Sequence, residues 1–397
     1  MRKEIMQNNK EWQTAYSVIE QLEQAGFEAV IVGGAVRDAL LNRPAHDVDV
    51  ATNALPEEVK SVFQRTVDIG IQHGTVLVIV PAGPVEVTTY RTDGEYTDHR
   101  RPDKVQFVRS LQDDLQRRDF TMNAIAMRHD GSFVDYYGGR QDIELRVIRA
   151  VGDAQKRFAE DALRMLRAIR FSAQLDFTIA KDTLMAIQNR AGDIAFIAKE
   201  RIKAELDKLW LGMTVFSGLQ KLEECGLAAY LQGNFQADRW YNFQTEDKHV
   251  GWAYFALLQG PNWREILRDY RLSNKEMAFV KSVLTAYEAL KSGWTNTHYF
   301  TYKEQELEAA IYFAKLLQLD VRLPSEPIRV LQDKLPIRQK QKVAVNGADL
   351  LKWSGKKGGP WVKEALEDIL EAIIHNELAN DQQQIKNWLD RNYFHEV

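Results

Sequence analysis

One stretch, residues 31–52, constrains the fold most strongly because three signals follow one another there in a fixed order. An apolar strand runs into the pair Gly33-Gly34, a helix follows at once, and a second strand carries Asp47 and Asp49. A glycine turn before a helix presents backbone N–H groups and the positive end of the helix dipole to an anion. Carboxylates at positions i and i+2 of a strand point to the same side. The stretch therefore predicts a phosphate-binding turn beside a divalent-metal site.

The two aspartates alternate with Val48 and Val50 in the predicted strand. Burying carboxylates in an apolar strand is costly without a cation. Mg²⁺ prefers oxygen ligands and is usually held by one or two carboxylates together with substrate phosphates. We therefore predict that Asp47 and Asp49 are catalytic residues that bind Mg²⁺; the alternative is a solvated pair of surface charges.

A third carboxylate, Glu86, stands alone in the β-branched run 85–89. On a strand beside the aspartates it would deprotonate an attacking hydroxyl group or complete the metal shell. The alternative is a solvent-facing residue on an edge strand.

The bulk composition excludes several classes of protein. A chain of 397 residues can bury a sizeable core in more than one domain, and its single cysteine, Cys225, excludes an internal disulfide. The net charge of −4 does not by itself favour nucleic-acid binding, although it allows a local basic surface. The sequence has neither a long apolar run nor a secretory signal, so we expect a cytoplasmic protein without a membrane partner.

Hydrophobic periodicity changes near residue 150. Before that point, short β-branched runs punctuated by Gly and Pro predict a mixed α/β unit of four or five strands, with a further hairpin over 124–136. The polar segment 91–103 is predicted to be a mobile loop. After residue 150 the apolar residues follow helical spacing to the end of the sequence, which predicts all-α domains.

Arginines at two places suit phosphate recognition. Arg37 lies one turn into the helix that follows the glycines, and it could donate two hydrogen bonds to a triphosphate. Arg118, in the pair Arg117-Arg118, would suit phosphate or ribose, with Asn123 close to a ribose hydroxyl. A solvated basic patch is the alternative for the pair.

A fourth cluster predicts recognition of a nucleobase. Asp161 and Arg164 are spaced i, i+3, so on a helix their side chains would be neighbours. A carboxylate accepts from an exocyclic amino group and a guanidinium donates to ring acceptors, a combination that fits cytosine and adenine but not uracil or guanine. Arg167 and Arg170 would hold a triphosphate or the geometry of the helix itself. An exposed, salt-bridged helix face is the alternative.

Taken together and in this order, the motifs resemble those of class II tRNA nucleotidyltransferases, the bacterial CCA-adding enzymes of the polymerase-β superfamily. The segments that carry the resemblance are GGAVRD (33–38), DVD (47–49), EVTT (86–89), RRDFTMNA (117–124), EDALR (160–164), NGADL (346–350) and GPWV (359–362). The resemblance is strong over the first 170 residues, moderate near the C-terminus and loose over 215–330.

The resemblance implies an α/β head of the polymerase-β-like type at 1–150, followed by an all-α neck at 151–214, body at 215–298 and tail at 299–397. It implies the addition of C, C and A to the tRNA 3′ end from CTP and ATP, with release of pyrophosphate. The tail is expected to bind the acceptor and TΨC region of tRNA. By matching position, Asp47 and Asp49 would bind Mg²⁺, and seven residues would bind CTP or ATP. These seven are Gly34, Arg37, Arg118, Asp161, Arg164, Arg167 and Arg170.

Three other activities stay open at this point. Poly(A) polymerases share the head motifs, and relatives that add only CC lack the loop that this sequence carries at 91–103. A non-catalytic RNA-binding protein on a decayed polymerase head is the alternative from a different class. The sequence leaves the oligomeric state open between a monomer and a homodimer.

Overall fold

The computed structural model describes residues 9–45, 47–93 and 105–394, which divide into two compact units. The first unit contains the described residues up to Lys248 together with Glu265–Arg271. The second unit contains His249–Arg264 and the described residues from Leu272 onward. Among the described helices, none combines the length and the apolar character needed to cross a membrane. The finer division into head, neck, body and tail stays a prediction.

The first unit begins with helix α1 (Lys10–Gln24), close to the amphipathic helix predicted over 11–26. The Asn9 side chain accepts hydrogen bonds from the N–H groups of Glu11 and Trp12, which caps two otherwise unpaired donors at the helix start. The apolar face, including Trp12 and Leu22, is buried.

Seven strands form one mixed sheet in the order β3-β4-β5-β2-β1-β8-β9. The strands of this sheet are β1 (Ala29–Val32), β2 (Val50–Thr52), β3 (Thr66–Gly70), β4 (Thr75–Val80), β5 (Gly83–Thr89), β8 (Ala126–Met127) and β9 (Phe133–Val134). A separate antiparallel pair is formed by β6 (Arg91–Asp93) and β7 (Val105–Phe107). Most of the loop predicted at 91–103 lies outside the described residues.

The pairing of the strands sets the geometry of the site. Strand β2 runs parallel to β5, with Val50 opposite Val87, and every other neighbouring pair in the sheet is antiparallel. The predicted hairpin adds β8 and β9 to the sheet because β8 pairs with β1. The sheet therefore contains seven strands, five from the predicted α/β unit and two from the predicted hairpin.

Helices cover the sheet and fill the rest of the first unit. They are α2 (Gly34–Leu40), α3 (Pro56–Val62), α4 (Leu111–Gln116), α5 (Gly139–Glu144), α6 (Ala154–Glu160), α7 (Leu163–Leu175), α8 (Lys181–Arg190), α9 (Lys199–Leu209) and α10 (Val215–Glu224). Two short parallel strands, β10 (Val147–Ile148) and β11 (Thr178–Ile179), lie among them. Helix α7 is almost wholly buried, and its side chains reach the site.

From residue 248 onward the described chain is helical. The helices are α11 (Lys248–Leu258), α12 (Trp263–Asp269), α13 (Asn274–Leu290), α14 (Asn296–Thr301), α15 (Glu304–Leu316), α16 (Ile328–Asp333), α17 (Gly347–Ser354), α18 (Pro360–Ile374) and α19 (Gln382–Asn392). The last three pack around a core that includes Leu350, Ile369 and Leu389. The prediction of a helical chain after residue 150 is confirmed, with the two-residue strand β11 as an exception in the segment predicted to be all-α.

Candidate active site

The glycine turn after β1 depends on Gly33, which has φ +73° and ψ −129°. A Cβ atom at Gly33 would lie 2.9 Å from Nη1 of Arg118, whereas at Gly34 its nearest neighbour would be Nη2 of Arg37 at 3.8 Å. The conformational need for glycine therefore falls on Gly33, the residue before α2. The contact of Gly34 with nucleotide stays a prediction.

Replacing Gly33 by alanine should weaken nucleotide binding as well as stability. A backbone conformation that non-glycine residues rarely adopt costs about 1–3 kcal/mol, and the new methyl group would displace Arg118. Gly26→Ala is the control, because Gly26 also has a positive φ, +88°, but no atom lies within 4 Å of its Cβ position. Thermal unfolding and CTP titration should show destabilisation in both variants and weaker binding in Gly33→Ala alone. Equal CTP affinity in both variants would contradict the steric argument.

Asp47 and Asp49 lie in the segment that leads into β2, and not on the strand as predicted. The segment starts to pair before the strand begins, since the N–H of Val32 donates to the Asp49 carbonyl at 3.3 Å. Alternation is kept: Val48 is buried, and the aspartates on either side of it are exposed. Both aspartates are therefore accessible to solvent and not buried as expected, although the surrounding groups partly desolvate the Asp49 carboxylate. Their common orientation is retained.

Glu86 lies level with Asp49 because β2 and β5 are parallel. Val50 pairs with Val87, so the residues one step earlier on each strand are neighbours. Partial desolvation, then the negative charges of Glu86 and Asp47, raise the pKa of Asp49, and Arg118 opposes the shift. Oxygen donors with an excess of negative charge fit a divalent cation. Within the described chain, no group of three or more His, Cys, Asp or Glu side chains is placed to hold a metal ion, so Glu86 does not complete a three-carboxylate site with Asp47 and Asp49. The assignment of these two aspartates as metal ligands stays a prediction.

A cleft of about 480 Å³ opens beside these acids, entirely within the first unit. All seven residues predicted to bind nucleotide line it: Gly34, Arg37, Arg118, Asp161, Arg164, Arg167 and Arg170. The structure also places there several side chains that the sequence did not single out, among them Asp119, Phe171, Arg201 and Lys208. Asp47, Asp49 and Glu86 do not line the cleft themselves, but the Arg118 charge acts on Asp49.

Arg37 is held by two neighbours on the cleft wall. Its Nε and Nη2 donate to the two carboxylate oxygens of Asp38 at 2.9 and 3.0 Å, and Nη1 donates to the Asn123 Oδ1 atom at 2.8 Å. The guanidinium also lies 5.0 Å from the centre of the Phe171 ring. Asp38 and Asn123 together therefore fix the orientation of the Arg37 guanidinium.

Arg117 and Arg118 follow α4 and share one buried partner, Asp114. Arg117 donates to its Oδ1 atom at 2.8 Å and Arg118 to its Oδ2 atom at 3.1 Å. Burial alone would raise the pKa of Asp114, but the two guanidinium groups outweigh it and lower that pKa. Both arginines are thus held by the buried Asp114 carboxylate, and the pair is not a solvated patch.

Asp161 does not share a helix with Arg164, which corrects the spacing argument. It has extended backbone, with φ −145° and ψ 102°, between the end of α6 and the start of α7. Its Oδ1 atom accepts from the Leu163 N–H at 3.1 Å and from Arg201 at 3.2 Å, and its Oδ2 atom accepts from Arg201 at 2.7 Å. The side-chain partner of Asp161 is therefore Arg201.

Arg164 is buried in the first turn of α7 and has its own partners. Its Nη1 atom donates to the Glu160 carboxylate at 2.6 Å, and its Nη2 atom donates to the Arg117 carbonyl at 3.0 Å. Asp161 and Arg164 thus reach the same cleft from two separately braced positions.

Arg167 and Arg170 are balanced by two buried acids. Arg167 donates to Asp119 at 2.8 Å, and Arg170 forms an ion pair with Glu205 at 2.7 Å. Arg170 also lies 3.6 Å from the centre of the Phe171 ring, and burial lowers its pKa to about 10. It stays charged at neutral pH.

Helices α7 and α9 lie side by side and run in the same direction. Asp161 meets Arg201 near their starts, and Arg170 meets Glu205 further along. Near their ends, the Gln174 side chain donates to the Lys208 carbonyl. The partners on α9 were missed because Arg201 and Glu205, at i, i+4, have the spacing of an ordinary surface ion pair.

Comparison with known proteins agrees with this arrangement. The matching family models are "Poly A polymerase head domain" over residues 29–149, "Probable RNA and SrmB- binding site of polymerase A" over 176–237 and "tRNA nucleotidyltransferase domain 2 putative" over 243–389. The CCA-adding enzyme of Geobacillus stearothermophilus is 43% identical over 95% of this chain and 96% of its own length. The corresponding enzyme of Bacillus mycoides is 42% identical over 95% and 98%.

Comparison with solved structures points to the same family of proteins. The CCA-adding enzyme of Bacillus stearothermophilus, solved in complex with CTP, superimposes with a TM-score of 0.84 at 40% identity, covering 96% of this chain and 97% of that one. The Thermotoga maritima CCA-adding enzyme, complexed with tRNA, shares the fold, with a TM-score of 0.63 at 18% identity over 98% of each chain. With a polymerase-β-like head, a helical remainder and relatives of this similarity over nearly its whole length, the chain belongs to the family of CCA-adding enzymes.

Proposed function

We propose that this protein adds C, C and A in sequence to the 3′ end of tRNA, taking them from CTP and ATP without a nucleic-acid template and releasing pyrophosphate. The observation that carries the proposal is the single cleft lined by all seven predicted nucleotide-binding residues, beside three carboxylates. The relative that binds CTP at 40% identity supports the same substrate.

Asp47 and Asp49 are the proposed ligands of Mg²⁺, with substrate phosphates and water as further ligands. When bound, two such ions would stabilise the attacking and leaving oxygens of an in-line displacement. The exposed pair of carboxylates and the raised pKa of Asp49 both support a cation at this position.

The reaction follows from how the charged groups are distributed. Arg37 and Arg118 would hold the triphosphate by charge-assisted hydrogen bonds, next to the backbone N–H groups at the start of α2. Glu86, level with Asp49, would take the proton of the tRNA 3′ hydroxyl as that oxygen attacks the α-phosphate. The bond to the β-phosphate oxygen then breaks, and pyrophosphate leaves with the negative charge.

Selection of the base is assigned to Asp161 and Arg164. Cytosine and adenine both present an amino donor beside a ring acceptor, which match a carboxylate and a guanidinium. Uracil and guanine present a carbonyl oxygen beside an N–H group, so each would place an acceptor against Asp161. Leaving buried polar groups unpaired in this way gives strong discrimination. Arg167 and Arg170, each braced by an acid, would contact the triphosphate.

Other expectations rest on the family alone. The helical parts after residue 150 would bind the acceptor and TΨC region of tRNA, with the four-part division into head (1–150), neck (151–214), body (215–298) and tail (299–397) as the proposed frame. A cytoplasmic location and a monomer or a homodimer are proposed on the same footing.

The length of the product tests the proposal directly. A labelled tRNA lacking its last three nucleotides is incubated with the protein, Mg²⁺ and CTP, ATP or both. Growth by two nucleotides with CTP alone and by three with both is expected. A long product with ATP alone would instead show a poly(A) polymerase, and two nucleotides with both substrates an enzyme that adds only CC. Unchanged RNA under all conditions would favour a non-catalytic RNA-binding protein.

A further inference from the structure

We propose that Arg201 is a positioning residue that fixes the hydrogen-bonding capacity of Asp161 and thereby determines which nucleobases the cleft accepts. The inference rests on the proposed function, in which Asp161 accepts a hydrogen bond from an exocyclic amino group. Arg201 lies in the first turn of α9 and lines the cleft.

The contact between the two side chains is a fork. Arg201 donates to both oxygens of Asp161, at 3.2 and 2.7 Å, and both side chains are largely shielded from solvent, with exposures of 24% and 17%. Two parallel hydrogen bonds from a planar guanidinium fix the plane of a carboxylate as well as its charge. The broad χ2 torsion of an aspartate would otherwise let that plane rotate.

Counting donors shows which oxygen is left for the substrate. An ionised carboxylate has about four lone-pair positions, two on each oxygen. Oδ1 accepts from the Leu163 N–H and from Arg201, whereas Oδ2 accepts from Arg201 alone. Oδ2 therefore keeps one acceptor position, and a single amino donor of cytosine or adenine would fill it.

Loss of Arg201 would free the carboxylate plane without removing the carboxylate. A freely turning Asp161 could accept from the ring N–H of uracil or guanine as well as from an amino group. The expected consequence is a wider choice of bases, with CTP still accepted. A brace that served only the fold would instead reduce the use of all nucleotides by the same factor.

The experiment compares CTP with UTP for Arg201→Ala and Arg201→Lys. The kcat/KM for one addition to tRNA lacking its last three nucleotides, and the Kd of each nucleotide without metal, are measured with the full-length protein. The CTP preference should fall about 10- to 100-fold in Arg201→Ala, the size of one lost hydrogen bond to a charged group. Lysine keeps the charge but lacks the fork, so Arg201→Lys should restore only part of the preference.

A matched control and a double variant assign the effect to Asp161. Lys199→Ala removes another ion pair from the first turn of the same helix, with Asp269, away from the cleft, and should leave the preference unchanged. If Arg201 acts through Asp161, the double variant Asp161→Ala/Arg201→Ala should lose no more preference than Asp161→Ala alone.

Two results would overturn the inference: an unchanged CTP preference in Arg201→Ala, or an equal fall of kcat/KM for CTP and UTP in both Arg201 variants. If Arg201→Ala does not fold, the ratio of kcat/KM for CTP to that for UTP in Arg201→Lys provides the same test. The proposed function fails separately, because retention of the CTP preference by Asp161→Ala would remove Asp161 from base recognition. If Asp161→Ala loses the preference and Arg201→Ala keeps it, only the role of Arg201 is wrong.

Discussion

Replacement of Asp49 by alanine should abolish nucleotide addition while the protein stays folded. Partial desolvation, and then the negative charges of Glu86 and Asp47, raise the pKa of Asp49. Removing this carboxylate therefore relieves repulsion instead of breaking a stabilising contact. The loss falls on the transition state, where a carboxylate-bound cation contributes several kcal/mol. A fall in kcat of about 10³-fold or more is expected.

Three measurements separate this loss from damage to the fold. The unfolding temperature of Asp49→Ala should equal or exceed that of the unchanged protein. Its affinity for CTP without metal should stay the same, because Asp49 does not line the cleft. Asp68→Ala is the matched control, since Asp68 is an exposed acid on the same sheet that forms a surface ion pair with Lys60. Turnover by Asp49→Ala within tenfold of the unchanged protein would contradict the metal-ligand role.

Replacement of Asp119 should have the largest effect on stability. The buried carboxylate accepts from the Phe120 N–H, from the Asn123 side chain and from Arg167, at 2.8, 3.0 and 2.8 Å. Asn123 in turn accepts from Arg37, so one acid braces both sides of the cleft. Removing one partner of a buried ion pair costs about 3–5 kcal/mol. Asp119→Ala should therefore lower the free energy of unfolding by that amount and weaken CTP binding as well.

The pH dependence gives this prediction a second readout. Burial by itself would raise the pKa of Asp119, but Arg167 and Asn123 hold that pKa far below its usual range. A group with a lowered folded-state pKa contributes stability above its unfolded pKa, about 3.9 for aspartate, and that contribution is lost as the pH falls. The difference between the unchanged protein and Asp119→Asn should be complete at pH 7 and shrink below about pH 4.

Urea unfolding at pH 7 and at a pH below about 4 measures the free energy of unfolding of the first unit. Lys221→Ala, which breaks an exposed ion pair with Glu224, is the control and should cost less than about 1 kcal/mol. A loss below that size for Asp119→Ala would contradict the bracing role.

Local sequence patterns were sufficient to predict the helices and strands and about half of the candidate active site. The glycine turn, the alternation of Asp47 and Asp49, and the helical spacing of Arg164 and Arg167 all depend on neighbours within a few residues, which the sequence displays directly. Strand pairing between β2 and β5 was not readable, and it is this pairing that brings Glu86 level with Asp49.

The missed residues act over long separations. Arg201 is 40 positions from Asp161, and Arg167 is 48 positions from Asp119. The break at Asp161 also carries no proline or glycine, so helical spacing continued through it in the sequence although the backbone is extended there. Two contacts of the Asp161 side chain hold this turn: a local hydrogen bond from the Leu163 N–H and a tertiary ion pair with Arg201.

Helices α7 and α9 run in the same direction, so their helix dipoles add along the cleft. Each helix carries about half a positive charge at its N-terminus and half a negative charge at its C-terminus, so two parallel helices add where antiparallel ones would cancel. The last turn of α9 carries Lys208, a cation at the negative end of its helix, whereas the last turn of α7 carries no basic residue. A cation is stabilised at a helix C-terminus, so Lys208 complements the backbone field at that end of the cleft.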